Sequence, residues 1–202
     1  MDSPLLPEHL NDEIDRKALT GIVQRFRRHH ALRYQQSGRR MPAKQRAVLQ
    51  ALPLLYHWNH PALPGFVSHA TPAGLACYEP TPEALLALQQ FTRSFRAPRF
   101  ESAGGDVQAV FMMGSGGSIG QTRSSDIDLW VCCGRLLHQR LWPKVRAIDA
   151  WARDIGLDLH TFLVDPDMLR TEGHLPGAHA PTLLLDEFYR SAVLLAGRYP
   201  LW

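Results

Sequence analysis

Residues 107–132 limit what the chain can become more than any other stretch. Val107 to Met113 is an apolar run stopped by Gly114-Ser115. Gly116-Gly117-Ser118-Ile119-Gly120-Gln121-Thr122-Arg123-Ser124-Ser125 follows, and Asp126-Ile127-Asp128-Leu129-Trp130-Val131-Cys132 returns to β-type sequence. The order is strand, glycine-rich loop, strand. Residues two apart on an extended chain face the same way, so Asp126 and Asp128 share one side while Ile127, Leu129 and Val131 turn to the other and anchor a core.

Two neighbouring carboxylates repel, which makes a purely structural role costly unless something cationic lies between them. Hard oxygen donors suit Mg²⁺, or Mn²⁺ in its place. The loop supplies the complementary chemistry. Gly114, Gly116 and Gly117 let backbone N–H groups come close to an anion, and the Ser115 and Ser118 hydroxyls add donors. A phosphate cradle beside a metal-binding carboxylate pair suits metal-assisted phosphoryl or nucleotidyl transfer. Two better-known loops are excluded. A Walker A loop ends in Gly-Lys-Ser/Thr, and this loop has no lysine; a dinucleotide fingerprint opens a helix, whereas this run misses its spacing and enters Asp-Ile-Asp-Leu-Trp-Val.

Gly114-Ser115 followed, after ten residues, by Asp126-x-Asp128 resembles the signature of the polymerase β-type nucleotidyltransferase superfamily. The longer run Met113 to Cys132 is similar to one branch of it, the class I bacterial adenylate cyclases. So are His57 to Gly65 and Leu183 to Gly197, and the likeness extends from about Leu52 to the last residue. The resemblance implies an α/β (α+β) nucleotidyltransferase fold: a short mixed sheet holding residues 107–113, 126–133 and 157–164, flanked by helices. Residues 1–60 would form a helical extension packed on a catalytic unit of residues 61–202, together one globular body.

The resemblance also implies a site. ATP would lay its triphosphate on the Gly114 to Gly120 loop, with Asp126 and Asp128 holding Mg²⁺. A third carboxylate would come from a neighbouring strand to complete a second metal site and help deprotonate the ribose 3′-hydroxyl, yielding cyclic AMP and pyrophosphate. Asp158, between Leu157 and Leu159, has that pattern; Asp165 at the end of the same strand is the reserve. Ser125 would orient Asp126. Arg123 is either a phosphate partner or a solvated loop arginine, and Trp130 either walls the base or ribose pocket or fills the core. Arg190 either faces the nucleotide or joins a charge network with Asp186 and Glu187. Family members are longer and carry a C-terminal regulatory region, so the chain reads as an excised catalytic fragment or a short relative. Two alternatives share the motif: nucleotidyl transfer to an external hydroxyl, and ATP binding without turnover.

Elsewhere the chain is informative in outline. Its 202 residues, 45% apolar and 20% charged, suffice for one substantial core, and a net charge of +3 suits an anionic substrate without requiring a nucleic acid. Cys77, Cys132 and Cys133 make no disulfide framework or zinc spacing, which fits reduced thiols, and neither a signal peptide nor a membrane span is evident, so a cytoplasmic protein is expected. Asn11 would cap an amphipathic helix with Ile14, Leu19, Ile22, Val23, Phe26 and His30 on its inner side, ended by Ser37-Gly38. Its basic side, Arg16, Lys17, Arg25, Arg27 and Arg28, continued by Arg33, Arg39 and Arg40, reads as a solvated face rather than a specific nucleic-acid surface. A second helix starts at Pro42 and is kinked or displaced at Pro53. His57 and His60 read as capping and packing groups rather than metal ligands. Helices are expected from Pro82 to about Arg96, with Leu85, Leu86, Leu88 and Phe91 inward, from about Leu137 to Ile155, and from about Leu183 to Ala196. Thr171 to Pro181 would be a lip over the site.

Overall fold

The computed structural model describes residues 15–98, 105–123, 125–172 and 187–198. Helix α1 (Arg16–Arg40) starts where the Asp15 side chain accepts the Lys17 N–H at 2.9 Å; the predicted Asn11 cap and Ile14 lie outside the described residues. Its exposed basic side matches the sequence reading, although Ile22, assigned inward, is 47% exposed. Ser37-Gly38 does not end it. Both residues are buried, and the bare Gly38 lets the neighbouring helix come near: a Cβ there would lie 3.3 Å from Arg46 Cδ.

That neighbour is α2 (Ala43–His57), which accommodates Pro53 without ending and is buried along nearly its whole length after Arg46. His57 and His60 behave as expected of caps. His57 Nδ1 accepts the Leu75 N–H and His60 Nδ1 that of Ala62. Helix α3 (Pro82–Gln89) is capped by the Thr81 hydroxyl, which accepts the Ala84 N–H. It stops at Gln89 rather than near Arg96, and Leu86, assigned inward, points to solvent.

The remaining elements are β1 (Val107–Met113), β2 (Ile127–Cys133), α4 (Arg135–Asp154), β3 (Leu159–Val164), α5 (Pro166–Glu172) and β4 (Val193–Gly197). They form a mixed four-stranded sheet in the order β3-β2-β1-β4. β1 is antiparallel to both β2 and β4, while β2 and β3 are parallel and joined through α4, as a parallel pair requires. The expected short mixed sheet flanked by helices is therefore present.

Period-two patterning sends alternate residues to two apolar layers. Val110, Met112, Ile127, Leu129, Val131 and Leu159 join α2, α3 and α4 in the larger core. Ala109, Phe111, Met113, Trp130 and Cys132 face the other way, onto Leu169 of α5 and Phe188 of a helical turn at 187–191. Asp128 shares that second face with Trp130.

The last predicted helix is the main correction. Its start, Leu183 to Asp186, lies outside the described residues, and helix persists only over 187–191 before the chain extends as β4 along β1. The leucines and alanines of this stretch fit a helical stripe, but Val193-Leu194-Leu195 serve equally well on a sheet. β1 would otherwise present an edge of unpaired backbone groups. Gly197, at φ +98, ends the strand where a Cβ would sit 2.4 Å from the Gln108 oxygen.

Candidate active site

The loop between β1 and β2 is built from glycines in conformations other residues resist. Gly114 and Gly117 have φ +76 and +69. At Gly117 a Cβ would lie 2.2 Å from the Arg33 oxygen, so the loop crosses the backbone of α1 where no side chain fits. At Gly114 the backbone conformation alone calls for glycine; a Cβ would lie 3.9 Å from Asp128 Oδ2, an ordinary contact that marks how near the loop's start is to that carboxylate.

Much of the loop's polar capacity is spent in holding its own shape. Ser118 Oγ donates to the Ser115 oxygen at 2.7 Å and accepts the Gly120 N–H at 3.2 Å. Gln121 is 6% exposed; its Oε1 accepts the Gly117 N–H at 2.7 Å, and its Nε2 donates to Ser37 Oγ at 3.0 Å. The Gly114 N–H goes to Ser191 Oγ at 3.3 Å, and that hydroxyl donates to the Glu187 oxygen. Of the two serines expected as phosphate donors, Ser118 thus has its hydroxyl engaged within the loop. Ser125 Oγ accepts the Thr122 N–H at 2.9 Å, closing a tight turn directly before Asp126.

From α1, Arg33 Nη2 donates to the Gly116 oxygen at 2.8 Å and Nη1 to the Ala192 oxygen at 3.5 Å, while Arg40 donates to the Ser118 and Gln121 oxygens. His30 Nδ1 accepts the Leu194 N–H at 2.7 Å, and burial, with His29 and Arg33 nearby, lowers its pKa to about 4. His30, Arg33, Ser37 and Arg40 are spaced three, four and three apart and form one helical stripe. That spacing was the available signal for these residues, hidden because the arginines read collectively as a charged surface. Ser191 carried no such signal.

The carboxylates stand at the start of β2. Asp126 is exposed and Asp128 half-buried. Burial raises the Asp128 pKa, the Asp126 charge raises it further, and His160 offsets part of this. Parallel pairing sets Asp128 beside His160, and the Ile127 N–H donates to the Asp158 oxygen at 2.8 Å, which brings Asp158 level with Asp126. The Asp158 carboxylate is 3.2 Å from His160 Nε2. Asp165 is elsewhere. It lies beyond the other end of β3, about 20 Å along the strand, and its oxygens accept the N–H groups of Arg135, Asp167 and Met168 as a cap. Among the described residues no three His, Cys, Asp or Glu side chains are gathered in a geometry that holds a metal ion.

The other expected site residues fall into two groups. Trp130 is buried, stacked on Phe188 at 5.7 Å between ring centroids, with Phe111 edge-on to the same ring at 5.0 Å, so it builds the apolar layer beside Asp128. Arg123 and Arg190 are exposed, Arg123 at the loop's exit and Arg190 in the turn beside Ser191. Of the lip expected from Thr171 to Pro181, the first two residues end α5, and residues 173–181, like Ser124, lie outside the described residues. No described helix is long and apolar enough to cross a membrane.

Residues 18–202 match the protein family described as adenylate cyclase NT domain. An adenylate cyclase of Yersinia pestis is 38% identical over 173 residues, covering 80% of this chain and 20% of that protein. One of Proteus mirabilis is 35% identical over 194 residues, covering 90% and 22%. The chain therefore spans about a fifth of the length of these relatives. A solved structure described as a toxin-antitoxin with AMP-PNP overlaps 46% of this chain and 63% of its own at 22% identity and a TM-score of 0.31, too loosely to carry an argument.

Proposed function

The chain belongs to the adenylate cyclase NT domain family, and on that premise we propose that it handles the nucleotide, converting ATP to 3′,5′-cyclic AMP and pyrophosphate. The observation that carries the reading is the carboxylate pair. Burial and then the Asp126 charge raise the pKa of a half-buried Asp128, which lies beside the first glycine of the loop. Such a pair carries a like charge that His160 offsets only in part, and its all-oxygen donor set fits a hard divalent cation.

In this reading Asp126 and Asp128 would hold Mg²⁺, with Asp158, level with Asp126 in the sheet, as the third carboxylate. The bound ion supplies charge neutralisation at the phosphate oxygens. The chain's own groups do the rest. Ser115 and the loop backbone position the triphosphate, Ser125 fixes the turn that aims Asp126, and Asp158 takes the proton of the ribose 3′-hydroxyl. That oxygen bonds to the α-phosphorus as the bond to the bridging oxygen breaks and pyrophosphate departs. Residues 1–60 act as the helical extension that braces the loop of the catalytic unit at 61–202. Arg123 and Arg190 are assigned to phosphate charge. A regulatory region in the part of the relatives that this chain does not span, and a cytoplasmic location, belong to the same proposal.

The test is incubation of the purified chain with ATP and Mg²⁺, followed by identification of the nucleotide product. Cyclic AMP with stoichiometric pyrophosphate is the expected result. Transfer of AMP to an added hydroxyl acceptor, or ATP binding with no pyrophosphate release under any metal, overturns it.

A further inference from the structure

Outside the carboxylate site the most unusual feature is a cavity of about 550 Å³ between the end of α1 and the exit of the glycine loop, lined by Arg39, Arg40 and Arg123 with Met41, Gln121 and Thr122. Its three arginines come from two segments about eighty residues apart in sequence. Arg40 is fixed by its bonds to the Ser118 and Gln121 oxygens. Among the described residues none of the three forms an ion pair with a carboxylate, the described pair being His160 with Asp158.

Basic residues in the last turn of a helix are ordinary, because they offset its negative end, and this accounts for Arg39 and Arg40 separately. It does not account for Arg123, which reaches the same space from another part of the chain. Like charges brought together around a concavity raise the free energy of the empty protein and are relieved by an anion. Guanidinium forks match phosphate oxygens two at a time. A volume of several hundred Å³ is more than one tetrahedral anion fills. Thr122 and Arg123 of its lining precede Asp126 by only a few residues, which sets the cavity next to the carboxylates in the chain while leaving it composed of different residues.

We propose that this cavity is a binding site for a pyrophosphate group, borne by a nucleoside triphosphate or free as inorganic pyrophosphate. The site is made of positive charge and needs no divalent cation; it rests on and extends the phosphate role given above to Arg123, and is separate from the roles of Asp126 and Asp128.

The experiment is calorimetric titration of the chain with inorganic pyrophosphate in EDTA, for the wild type, Arg39→Gln, Arg123→Gln, the double variant and Asp126→Asn. Each single arginine change should weaken binding about 10-fold, as the loss of one charge-assisted pair does. The double variant should bind beyond detection, Lys at both positions should restore part of the affinity, and Asp126→Asn should bind at least as well as wild type. Thermal midpoints should not move, since both arginines are exposed. Displacement of bound pyrophosphate by ATP assigns the site to the nucleotide's tail; failure of ATP to displace it assigns the site to free pyrophosphate. Absence of binding by the wild type at millimolar pyrophosphate, or undiminished binding by the double variant, overturns the proposal. The readout is pyrophosphate affinity in EDTA, so its failure leaves the cyclic AMP reading standing, which the carboxylate variants test separately.

Discussion

Asp128 lies beside His160 across the parallel β2–β3 pair, and His160 in turn holds the Asp158 carboxylate at 3.2 Å. The imidazole eases the charge of the half-buried Asp128 and occupies Asp158. Negative charge is thereby stored on both strands without the direct contact of three acids, and a divalent cation would have to compete with His160 for Asp158.

Replacing Asp126 by Asn removes the like charge from Asp128, so the Asp128 pKa should fall toward the ordinary carboxylate range. A ¹³C carboxyl titration followed by NMR checks this. The same variant, and Asp128→Asn, should lose Mg²⁺-dependent turnover by at least about 100-fold while keeping the fold, the scale expected when a group that stabilises transition-state charge is removed.

Asp158 and Asp165 should separate cleanly. Asp158→Asn is expected to depress turnover with little change in thermal midpoint, because its side chain is 62% exposed. Asp165→Ala should instead cost about 1–2 kcal/mol of stability through loss of a cap shared by α4 and α5, read as a lower urea midpoint, with kcat changed only as far as folded protein is lost.

The crossing of the loop over α1 predicts a large penalty at Gly117. Gly117→Ala must displace the Arg33 carbonyl and hold a left-handed backbone, at a cost of about 2–4 kcal/mol. Arg33→Met leaves the Gly116 and Ala192 oxygens without their donor and should cost about 1–3 kcal/mol. Urea unfolding measures both.

His30 sets an acid limb. Its folded pKa of about 4 is below the ordinary 6.5, so the unfolded chain takes up the extra proton first. The contribution of His30 to stability is complete above about pH 6.5 and is lost as the pH falls toward 4. His30→Asn, which keeps an oxygen for the Leu194 N–H, should flatten that limb in thermal midpoints taken from pH 7 to pH 4.5.

Lys144 works in the opposite range. Its amine is buried, 1% exposed, donates to the Trp58 oxygen, and desolvation lowers its pKa from 10.5 to about 8. The unfolded chain therefore holds more protons above pH 8, and stability should rise between pH 8 and pH 9. Beyond that, the buried Cys132 and Cys133 thiols, raised to about 12, pull the other way. Lys144→Met should abolish the rise.

The sheet's central pair was legible because β1 and β2 are short, nearly continuous apolar runs with a glycine-rich loop between them; their bounds shift by one residue at Asp126. Asp126 and Asp128 were legible because two-residue spacing alone puts them on one face. β4 was not, because a leucine-rich segment satisfies both periods and only the unpaired edge of β1 decides between them. The bracing of the loop by Arg33, Ser37, Arg40 and Gln121 was hidden too. Long-range bonds from a charged helix to backbone oxygens leave no compositional trace, and a Ser-Gly pair signals a break until something packs against it.

The Gly114 N–H takes its partner from Ser191, seventy-seven residues further along the chain. During synthesis the hairpin of β1 and β2 therefore leaves the ribosome with its loop unfastened, and its outer edge waits for β4. Non-local closure of this kind is slow and exposes strand edges meanwhile. A nascent chain stalled before residue 191 would bear the whole Asp126–Asp128 motif yet lack the clasp that shapes it.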